Sequence, residues 1–408
     1  MTSEPTTAFV WIWLPGASEP VVCGRLDDDG HAIQFTYGRS YLDLSNAVPI
    51  YEPELPLRRG PQQATDGIRL PLCIDDSMPD SWGRAVINHR LGEPTAQFGE
   101  LTYLLNSGSD RIGTLDFQHS PDGYVARSGR HPSLEDLSTA AMKLQLGEPL
   151  SPELDEALAQ GSSLGGARPK ALLNNMGRQL IAKFSSTTDT FPVVQGEFVA
   201  MELAKRCSLN AAPVELRSAG GRYVLTVERF DRWPDGARRR IASALTVLRL
   251  STSPGGRYAT YVGLADAIRA SFNEPDANLR ELFSRIAFNI LCGNTDDHGR
   301  NHAAFVDDMT LTPAYDICPQ ARGREARQAM AFTRAVEGTP ALRDSRIELL
   351  VAAANEYHLE VRSAKEIVEG QVEVIRTNWG DVCDQAELTS EQRTAFMGTQ
   401  FLNGYAFS

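Results

Sequence analysis

The pattern of hydrophobic and polar positions divides the chain into a strand-rich first part and a helix-rich last part. In the first part, strands are predicted at 9–14, 21–26 and 32–37. The D-D-D-G run at 27–30 predicts a hairpin turn between the second and third strands. Residues 52–63 and 119–132 are rich in Pro, Gly and polar side chains and are predicted loops. The first clear helix signal follows them, where Ser133 and Asp136 can form a capping box.

In the rest of the chain, predicted helices and strands alternate at first, and the later part is predicted to be helical. Ser151 and Pro152 predict the start of a helix that ends by Gly161. Beyond a Gly-rich turn at 161–170, the pattern predicts a hairpin of 171–173 with 179–184, a helix at about 194–207 and a strand at 222–228. Later helices are predicted at 279–292, 346–357 and 363–377. This order of elements indicates an α+β protein with two lobes.

Composition narrows the classes of function. The 408 residues carry 40 Lys and Arg against 52 Asp and Glu, a net charge of −12. Such an acidic chain is a poor candidate for unaided binding to DNA or to an anionic membrane, because phosphates must be met by a surplus of cations. The best candidate for a membrane span, residues 8–14, is too short and has no Lys or Arg before it. We therefore expect a cytoplasmic protein. The six cysteines form no C-x-x-C pair and are predicted to be reduced and buried.

The segment G-N-T-D-D-H-G-R-N-H at 293–302 carries the densest chemistry of the sequence. Asp296 and Asn301 have the D-x4-N spacing of protein-kinase catalytic loops, in which the Asp accepts the proton of the substrate hydroxyl and the Asn holds Mg²⁺. The loop needs this reach because the attacking oxygen and the metal lie a few ångströms apart. The spacing alone is common, so a polar loop that caps the preceding helix is the alternative.

A further acidic position follows at Asp316, in the A-Y-D-I run at 314–317. An Asp beside an aromatic residue shortly after the catalytic loop occupies the place of the kinase Asp that chelates Mg²⁺. The run is not D-F-G, which disfavours a kinase of the ordinary type, and a surface turn is the alternative. Because these surroundings favour a hard, oxygen-liganded ion, His298 and His302 are interpreted as structural supports of the loop.

Two features upstream suit the binding of phosphate. The S-S-L-G-G-A-R-P-K run at 162–170 offers backbone N–H groups and a terminal Lys, although it matches no standard phosphate-loop motif and can equally be a hairpin turn. Lys183 lies in an otherwise apolar strand and needs a partner, which Glu197 on the following helix can supply. That arrangement is the ion pair of protein kinases. An edge-strand Lys that points to water is the alternative.

The V-E-R-F-D-R run at 227–232 ends the last strand before the helical half, where a kinase would bind adenine. Phe230 would lie against the base, and Glu228 and Asp231 would bind the amino group or the ribose hydroxyls; a charged linker is the alternative. All these features occur in the order that a bilobal kinase requires. We therefore predict a bilobal, protein-kinase-like α+β fold. It would have a β-rich N-terminal subdomain (1–130), a kinase N-lobe (131–237) and an all-helical C-lobe (238–408).

With these motifs, the chain resembles the HipA-like Ser/Thr kinase toxins of bacteria, which are distant members of the kinase-like superfamily. The resemblance rests on S-L-G-G-A-R-P-K (163–170), I-A-K-F (181–184) and the three later motifs described above. The runs D-S-M-P-D-S-W-G-R (76–84) and D-R-I-G (110–113) are similar to the N-terminal region of that family. Together these motifs cover roughly residues 20–380 of the chain.

The resemblance implies a role for each matched position. Asp296 would be the catalytic base, and Asn301 and Asp316 would be Mg²⁺ ligands. The residues implied in ATP binding are Ser163, Leu164, Gly165, Gly166, Ala167, Arg168, Lys170, Lys183, Glu228, Phe230, Asp231 and His298. In this family the Ser of the phosphate loop is autophosphorylated, which moves the loop outwards and inactivates the enzyme. Ser163 matches that position best, with Ser162 as its neighbour.

The family also implies partners. One is a small helix-turn-helix antitoxin, through which alone DNA would be contacted, and the known substrates are aminoacyl-tRNA synthetases, glutamyl-tRNA synthetase above all. We therefore expect an ATP- and Mg²⁺-dependent serine/threonine kinase that acts as a toxin. Two alternatives stay open. One is an antitoxin-binding co-repressor with feeble kinase activity, and the other is a metal-dependent phosphohydrolase, in which Lys183 and the Gly-rich loop would lack a role.

Overall fold

The computed structural model describes residues 4–64, 67–127, 133–164, 166, 168–175, 177–251, 255–321, 325–335 and 340–408. The chain forms two compact units: unit 1 comprises Met1–Thr188 and Ser218–Ala242, and unit 2 comprises Asp189–Arg217 and Ser243–Ser408. The predicted boundaries at 130 and 237 do not coincide with these limits and stay a prediction about finer subdomains. Within the described ranges, no helix combines the length and the apolar composition that crossing a bilayer requires.

The first sheet of unit 1 is antiparallel, with the strand order β4-β3-β2-β1-β5. Its strands are β1 (Thr7–Trp13), β2 (Pro20–Asp28), β3 (Ile33–Tyr37), β4 (Pro61–Gln62) and β5 (Leu115–Gln118). The predicted hairpin between β2 and β3 is confirmed. Asp29 Oδ1 accepts hydrogen bonds from the N–H groups of His31 and Ala32, and Gly30 has a φ of +88°.

Helices interrupt this strand-rich region. Those described in unit 1 are α1 (Arg39–Leu42), α2 (Leu72–Asp75), α3 (Ser81–Arg90), α4 (Glu100–Asn106), α5 (Leu134–Leu146) and α6 (Pro152–Gln160). The prediction that the first clear helix signal follows residue 132 is therefore wrong, because four helices precede it. One reason is visible at α2, where the N–H groups of Leu72 and Cys73 donate to the Glu54 carboxylate at 2.7 and 2.8 Å. A cap supplied from so far along the chain leaves no local signal.

The second sheet contains the predicted hairpin. Its strands are β6 (Lys170–Asn175), β7 (Arg178–Phe184), β8 (Val214–Ala219) and β9 (Arg222–Glu228), in the order β6-β7-β9-β8. The boundary between the two units falls inside β8. On β7, Leu180, Ala182 and Phe184 are buried and alternate with more accessible residues. Lys183 therefore lies on the opposite face of the strand.

Three helices pack against this sheet. Trp82 of α3, Leu137 of α5 and Leu158 of α6 share one hydrophobic core with β7. The predicted starts of α5 and α6 are confirmed, since Ser133 forms the expected capping box and Ser151 accepts a hydrogen bond from the Leu154 N–H. The core thus holds α3, which comes from the N-terminal region, beside the β6–β7 hairpin.

Unit 2 is mainly helical. Its described helices are α7 (Val193–Arg206), α8 (Ala244–Val247), α9 (Tyr261–Ser271), α10 (Pro275–Cys292), α11 (Ile347–Ala352), α12 (Val361–Gln385) and α13 (Ser390–Phe396). The predicted helix at 346–357 is divided into α11 and a 3₁₀ turn at Ala354–Tyr357. α10 is central, because most of its residues are buried on all sides.

Short strands complete the fold. β10 (Ile241–Ser243), β11 (Ala303–Phe305) and β12 (Thr310–Leu311) form a small sheet, and the chain passes from unit 1 to unit 2 within β10. β11 directly follows the polar segment at 293–302. Two sheets with their helices in the first unit and a mainly helical second unit give the α+β class that the sequence predicts.

Candidate active site

Helix α10 leads directly into the polar segment at 293–302. The helix ends at Cys292, and Gly293 follows in the left-handed conformation with a φ of +78°. The Gln320 N–H donates to the Gly293 carbonyl and the Ala329 N–H donates to the Thr295 carbonyl, both at 3.0 Å. The segment 293–302 is therefore fixed at the end of a buried helix and against a later stretch of unit 2.

The structure brings Asp296 and Asn301 together. Asp296 is exposed, whereas Asn301 is buried, and Nδ2 of Asn301 donates to the backbone carbonyl of Asp296 at 3.2 Å. A 3₁₀ turn at Gly299–Asn301 closes the loop between them. The two residues with the D-x4-N spacing thus share one compact loop.

Asp316 directly follows two residues whose hydrogen bonds fix their positions. Ala314 exchanges backbone hydrogen bonds of 2.6 and 2.9 Å with Asn210 and Ala212. The Tyr315 hydroxyl donates to the Arg300 carbonyl at 2.6 Å, which joins this segment to the catalytic-loop candidate. Asp316 itself has a φ of +58°, a conformation that is uncommon for residues other than glycine. Such conformations are concentrated at functional sites.

The carboxyl of Asp296 is more basic than that of an ordinary aspartate. Partial desolvation by its surroundings raises its pKa, the positive charge of His298 opposes this, and the negative charges of Asp316 and Asp297 raise the pKa further. Asp316 therefore lies close enough to act electrostatically on Asp296. Neighbouring carboxylates of this kind favour the binding of a cation, which would offset their repulsion.

Asp297 fixes the loop through buried hydrogen bonds. It is buried, and its carboxylate accepts hydrogen bonds from the Tyr261 hydroxyl at 2.8 Å and from His302 Nε2 at 3.0 Å. Burial alone would raise the pKa of Asp297, but His302 and the hydrogen bond from Tyr261 hold it below its ordinary value. His302 is thus a structural support of the loop, as interpreted from the sequence. The sequence predicts no role for Asp297, because its partner Tyr261 lies on the distant helix α9.

The donor set suits a hard cation. Asn301 and Asp316 supply amide and carboxylate oxygens, which are the ligands that Mg²⁺ prefers. Nε2 of His302 is engaged by Asp297, so this ring is not poised to bind a transition metal through that nitrogen. In the described part of the chain, no three His, Cys, Asp or Glu side chains are grouped so as to hold a metal by themselves. The residues present fit Mg²⁺ that is shared with a phosphate-bearing substrate.

In unit 1, two lysines face each other across the β6–β7 hairpin. Lys170 and Lys183 are directly paired in the strand register, so their side chains share one face. Lys170 is buried, with Nζ 3.5 Å from Oδ2 of Asp80. Burial raises the pKa of Asp80 although Lys170 opposes the shift. Two ammonium groups on one face repel each other, which suits this face to an anionic ligand such as phosphate.

The predicted phosphate loop ends at Lys170. Gly166 has a φ of +108°, a backbone conformation that favours glycine, and it lies close to the Lys170 ammonium. Ser163 and Leu164 are buried, and Arg168 is half-buried. Gly165 and Ala167 lie outside the described residues.

The predicted nucleoside contacts differ in their surroundings. Phe230 is half-buried, and Glu228 is half-buried with Oε2 3.4 Å from Arg178 Nη1. Asp231, in contrast, is buried, and its carboxylate is occupied by Arg229, Arg232 and the Gly113 N–H. A contact with a nucleoside would require these bonds to break, so the geometry favours a structural role for Asp231.

Glu197, the predicted partner of Lys183, is buried on α7. α7 belongs to unit 2, whereas Lys183 belongs to unit 1. Their ion pair stays a prediction.

Two family models match the chain. The model of the HipA-like C-terminal domain matches residues 162–379, which is more than half of the chain, and the model of the HipA N-terminal domain matches residues 17–118. The first match contains every candidate site residue named above. The second contains α3 and Asp80.

Individual relatives agree with these matches. Y4mE of Sinorhizobium fredii, named as a kinase, is 27% identical over 336 residues, which are 76% of this chain and 77% of the relative. The serine/threonine-protein kinase toxin HipA of Shewanella oneidensis is 29% identical over 185 residues, 38% of this chain and 42% of the relative. A solved structure of Shewanella oneidensis HipA with HipB and operator DNA covers 95% of this chain and 93% of its own, with a TM-score of 0.68 at 20% identity. This last similarity concerns the fold.

Proposed function

Because the chain belongs to the family of HipA-like serine/threonine kinase toxins, we propose that it is an ATP- and Mg²⁺-dependent protein kinase acting on Ser or Thr. The observation that carries the proposal is the grouping of Asp296, Asn301 and Asp316 in unit 2. A base beside oxygen ligands for a divalent cation is what phosphoryl transfer to a hydroxyl requires.

In the proposed reaction, Asp296 accepts the proton of the substrate hydroxyl. The hydroxyl oxygen forms a bond to the γ-phosphorus, the bond from that phosphorus to the β–γ bridging oxygen breaks, and ADP leaves. The raised pKa of Asp296 supports this role, because a more basic carboxylate takes up a proton more readily. Asn301 and Asp316 would hold Mg²⁺, which when bound neutralises charge on the phosphate oxygens.

Other residues would bind ATP. Lys183 and Lys170 would contact its phosphates, and their shared face supports this assignment. The phosphate loop would contribute Ser163, Leu164, Gly166 and Arg168, Glu228 and Phe230 would contact the nucleoside, and His298 would also take part in ATP binding. Ser163 would be the site of autophosphorylation, since Ser162 is held by two hydrogen bonds.

We extend the proposal to the biological role of a toxin in a toxin–antitoxin pair. Its partner would be a helix-turn-helix antitoxin, and its substrate a translation-related protein such as an aminoacyl-tRNA synthetase. The presence of HipB and operator DNA with the HipA of Shewanella oneidensis supports such a partner. The net charge of −12 supports contact with DNA only through it.

The direct test of the kinase is incubation of the purified protein with Mg²⁺ and γ-labelled ATP. Asp296→Asn is expected to lower phosphate incorporation by about 100-fold or more, because it removes the proton acceptor. Asp307→Asn alters an exposed carboxylate between β11 and β12 and should leave incorporation unchanged. Equal incorporation in the two variants would overturn the assignment of the base, and chelation of Mg²⁺ by EDTA should stop the reaction.

The toxin role is tested by induced expression. Growth should stop with the unmodified chain, continue with Asp296→Asn, and resume when a helix-turn-helix antitoxin that binds the unmodified chain is co-expressed. Phosphoproteomics after induction would identify the substrate. Growth arrest by both forms would speak against a toxin that acts through phosphorylation.

A further inference from the structure

The short 3₁₀ helix Gly161–Ser163, which leads into the phosphate loop, places two adjacent serines in different surroundings. Ser162 is fully buried, donates from Oγ to the Ala159 carbonyl at 2.5 Å and accepts from the Gly108 N–H at 3.1 Å. Ser163 is 3% exposed, and its Oγ has no hydrogen-bond partner among the described residues. Ser162 is therefore anchored by hydrogen bonds, whereas the Ser163 hydroxyl is buried and forms none among the described residues.

The anchor is strengthened by close contacts of the backbone. A Cβ at Gly83 of α3 would lie 2.0 Å from the Ser162 carbonyl oxygen, and one at Gly108 would lie 2.3 Å from the Gln160 carbonyl oxygen. At each place only a glycine allows two backbones to approach so closely. Gly83 is also unfavourable within a helix, so its presence in α3 is best explained by this contact.

These contacts come from the N-terminal region of unit 1. α3 follows its N-cap Asp80, whose other carboxylate oxygen is paired with Lys170 at the opposite end of the phosphate loop. Both ends of the loop are thus held by the same part of the chain, at Ser162 and at Lys170. Phosphoryl transfer requires the acceptor Oγ to be open to the γ-phosphorus, and the buried Ser163 is not.

We infer that Gly83, Gly108 and Ser162 are positioning residues by which the N-terminal region holds the start of the phosphate loop in place and keeps Ser163 covered. Weakening this grip exposes Ser163 and makes it a better acceptor of phosphate. The inference deepens the proposed function, and it rests on that function only for the identity of Ser163 as the modified residue.

Exposure of position 163 can be measured without kinase activity. In an Asp296→Asn, Ser163→Cys background, the rate at which a maleimide labels the introduced thiol is followed by peptide mass spectrometry. Adding Ser162→Ala or Gly83→Ala is expected to raise that rate about five-fold or more. Ser162→Ala removes the hydrogen bonds of the Ser162 hydroxyl, and Gly83→Ala places a Cβ against the Ser162 carbonyl and forces the two backbones apart. Gly380→Ala is the matched control, because a Cβ there meets nothing within 4 Å and should leave the rate unchanged.

The native cysteines report folding in the same sample. Cys23 and Cys73 are buried in unit 1 and should stay unlabelled in every folded variant. If Cys23 and Cys73 are labelled in Gly83→Ala, that variant has unfolded. The inference is then tested by the milder variant Ser162→Ala alone. Unchanged labelling at position 163 in Ser162→Ala, with Cys23 and Cys73 protected, would overturn the inference.

A second readout links the contacts of the N-terminal region with the phosphate loop to phosphorylation. With Asp296 and Ser163 intact, Ser162→Ala should increase the rate at which phosphate appears on Ser163, read by intact mass and peptide mapping, by a similar factor. If the proposed kinase function is wrong, no variant will incorporate phosphate, yet the labelling rates will still differ. If only the inference about the positioning residues is wrong, phosphate will be incorporated and the labelling rates will be equal.

Discussion

Neighbouring aspartates in the segment 293–302 are adapted to different tasks by their surroundings. Asp296 is exposed near other carboxylates and its pKa is raised, whereas Asp297 is buried among hydrogen-bond donors and its pKa is lowered. The D-x4-N spacing singles out Asp296 as a candidate, because spacing is visible in the sequence. The role of Asp297 could not be predicted, because its partner Tyr261 lies 36 positions earlier on α9.

Replacing Asp297 by Asn is expected to lower kcat about 10- to 100-fold with little change in the KM for ATP, because a displaced base loses its alignment. The free energy of unfolding should fall by about 1–3 kcal/mol, since buried donors lose a charged acceptor. Steady-state kinetics and urea unfolding measure the two effects. Tyr357→Phe is the control, because that buried hydroxyl has no hydrogen-bond partner in the described part of the chain. A kcat equal to that of the control would contradict the positioning role.

At the scale of elements, local signals predicted local structure. The β6–β7 hairpin, α5 and α6 were predicted because their caps and alternating residues are adjacent in sequence. α2 was missed because it is short and is capped by a distant residue, and α3 was missed although Asp80 caps it locally, because a glycine in its first turn disfavours a helix. Glu54 caps α2 from 18 positions away, and Gly83 faces Ser162 rather than a residue of its own region.

Glu54→Ala tests the dependence of α2 on this distant cap. The N–H groups of Leu72 and Cys73 lose their acceptor, so the free energy of unfolding should fall by about 1–2 kcal/mol in urea titrations. Glu52→Ala removes an exposed carboxylate two positions away and should change it little. Equal stabilities of the two variants would show that the cap contributes nothing.

At the scale of the whole chain, unit 1 is assembled from two stretches that are distant in sequence. Asp110 from the first stretch and Asp231 from the second share Arg229 and Arg232 in one buried ion network. The sequence placed Asp231 in a nucleotide site because it follows Glu228 and Phe230, which is where a kinase binds adenine. Asp110, which shares these arginines, and Gly113, whose N–H donates to Asp231, lie far away in sequence, so the competing structural role was not visible from the motif.

The ion network predicts a dependence of stability on pH. The arginines outweigh the effect of burial and hold the pKa of Asp231 at about 2 in the folded chain, below its ordinary value. This stabilisation is present above the ordinary aspartate pKa and is lost as the pH falls towards 2. Between pH 7 and pH 3, urea unfolding should therefore show a loss that is about 1 kcal/mol larger for the unmodified chain than for Asp231→Asn.

Two further observations decide this prediction. At pH 7, Asp231→Asn itself should be the less stable protein by about 3 kcal/mol, because two buried arginines lose a carboxylate that they share. Asp122→Asn changes an exposed carboxylate of unit 1 and should keep the pH dependence of the unmodified chain. If Asp231→Asn also keeps it, the carboxylate of Asp231 is not held ionised by the arginines, and its place would again be open for a ribose hydroxyl.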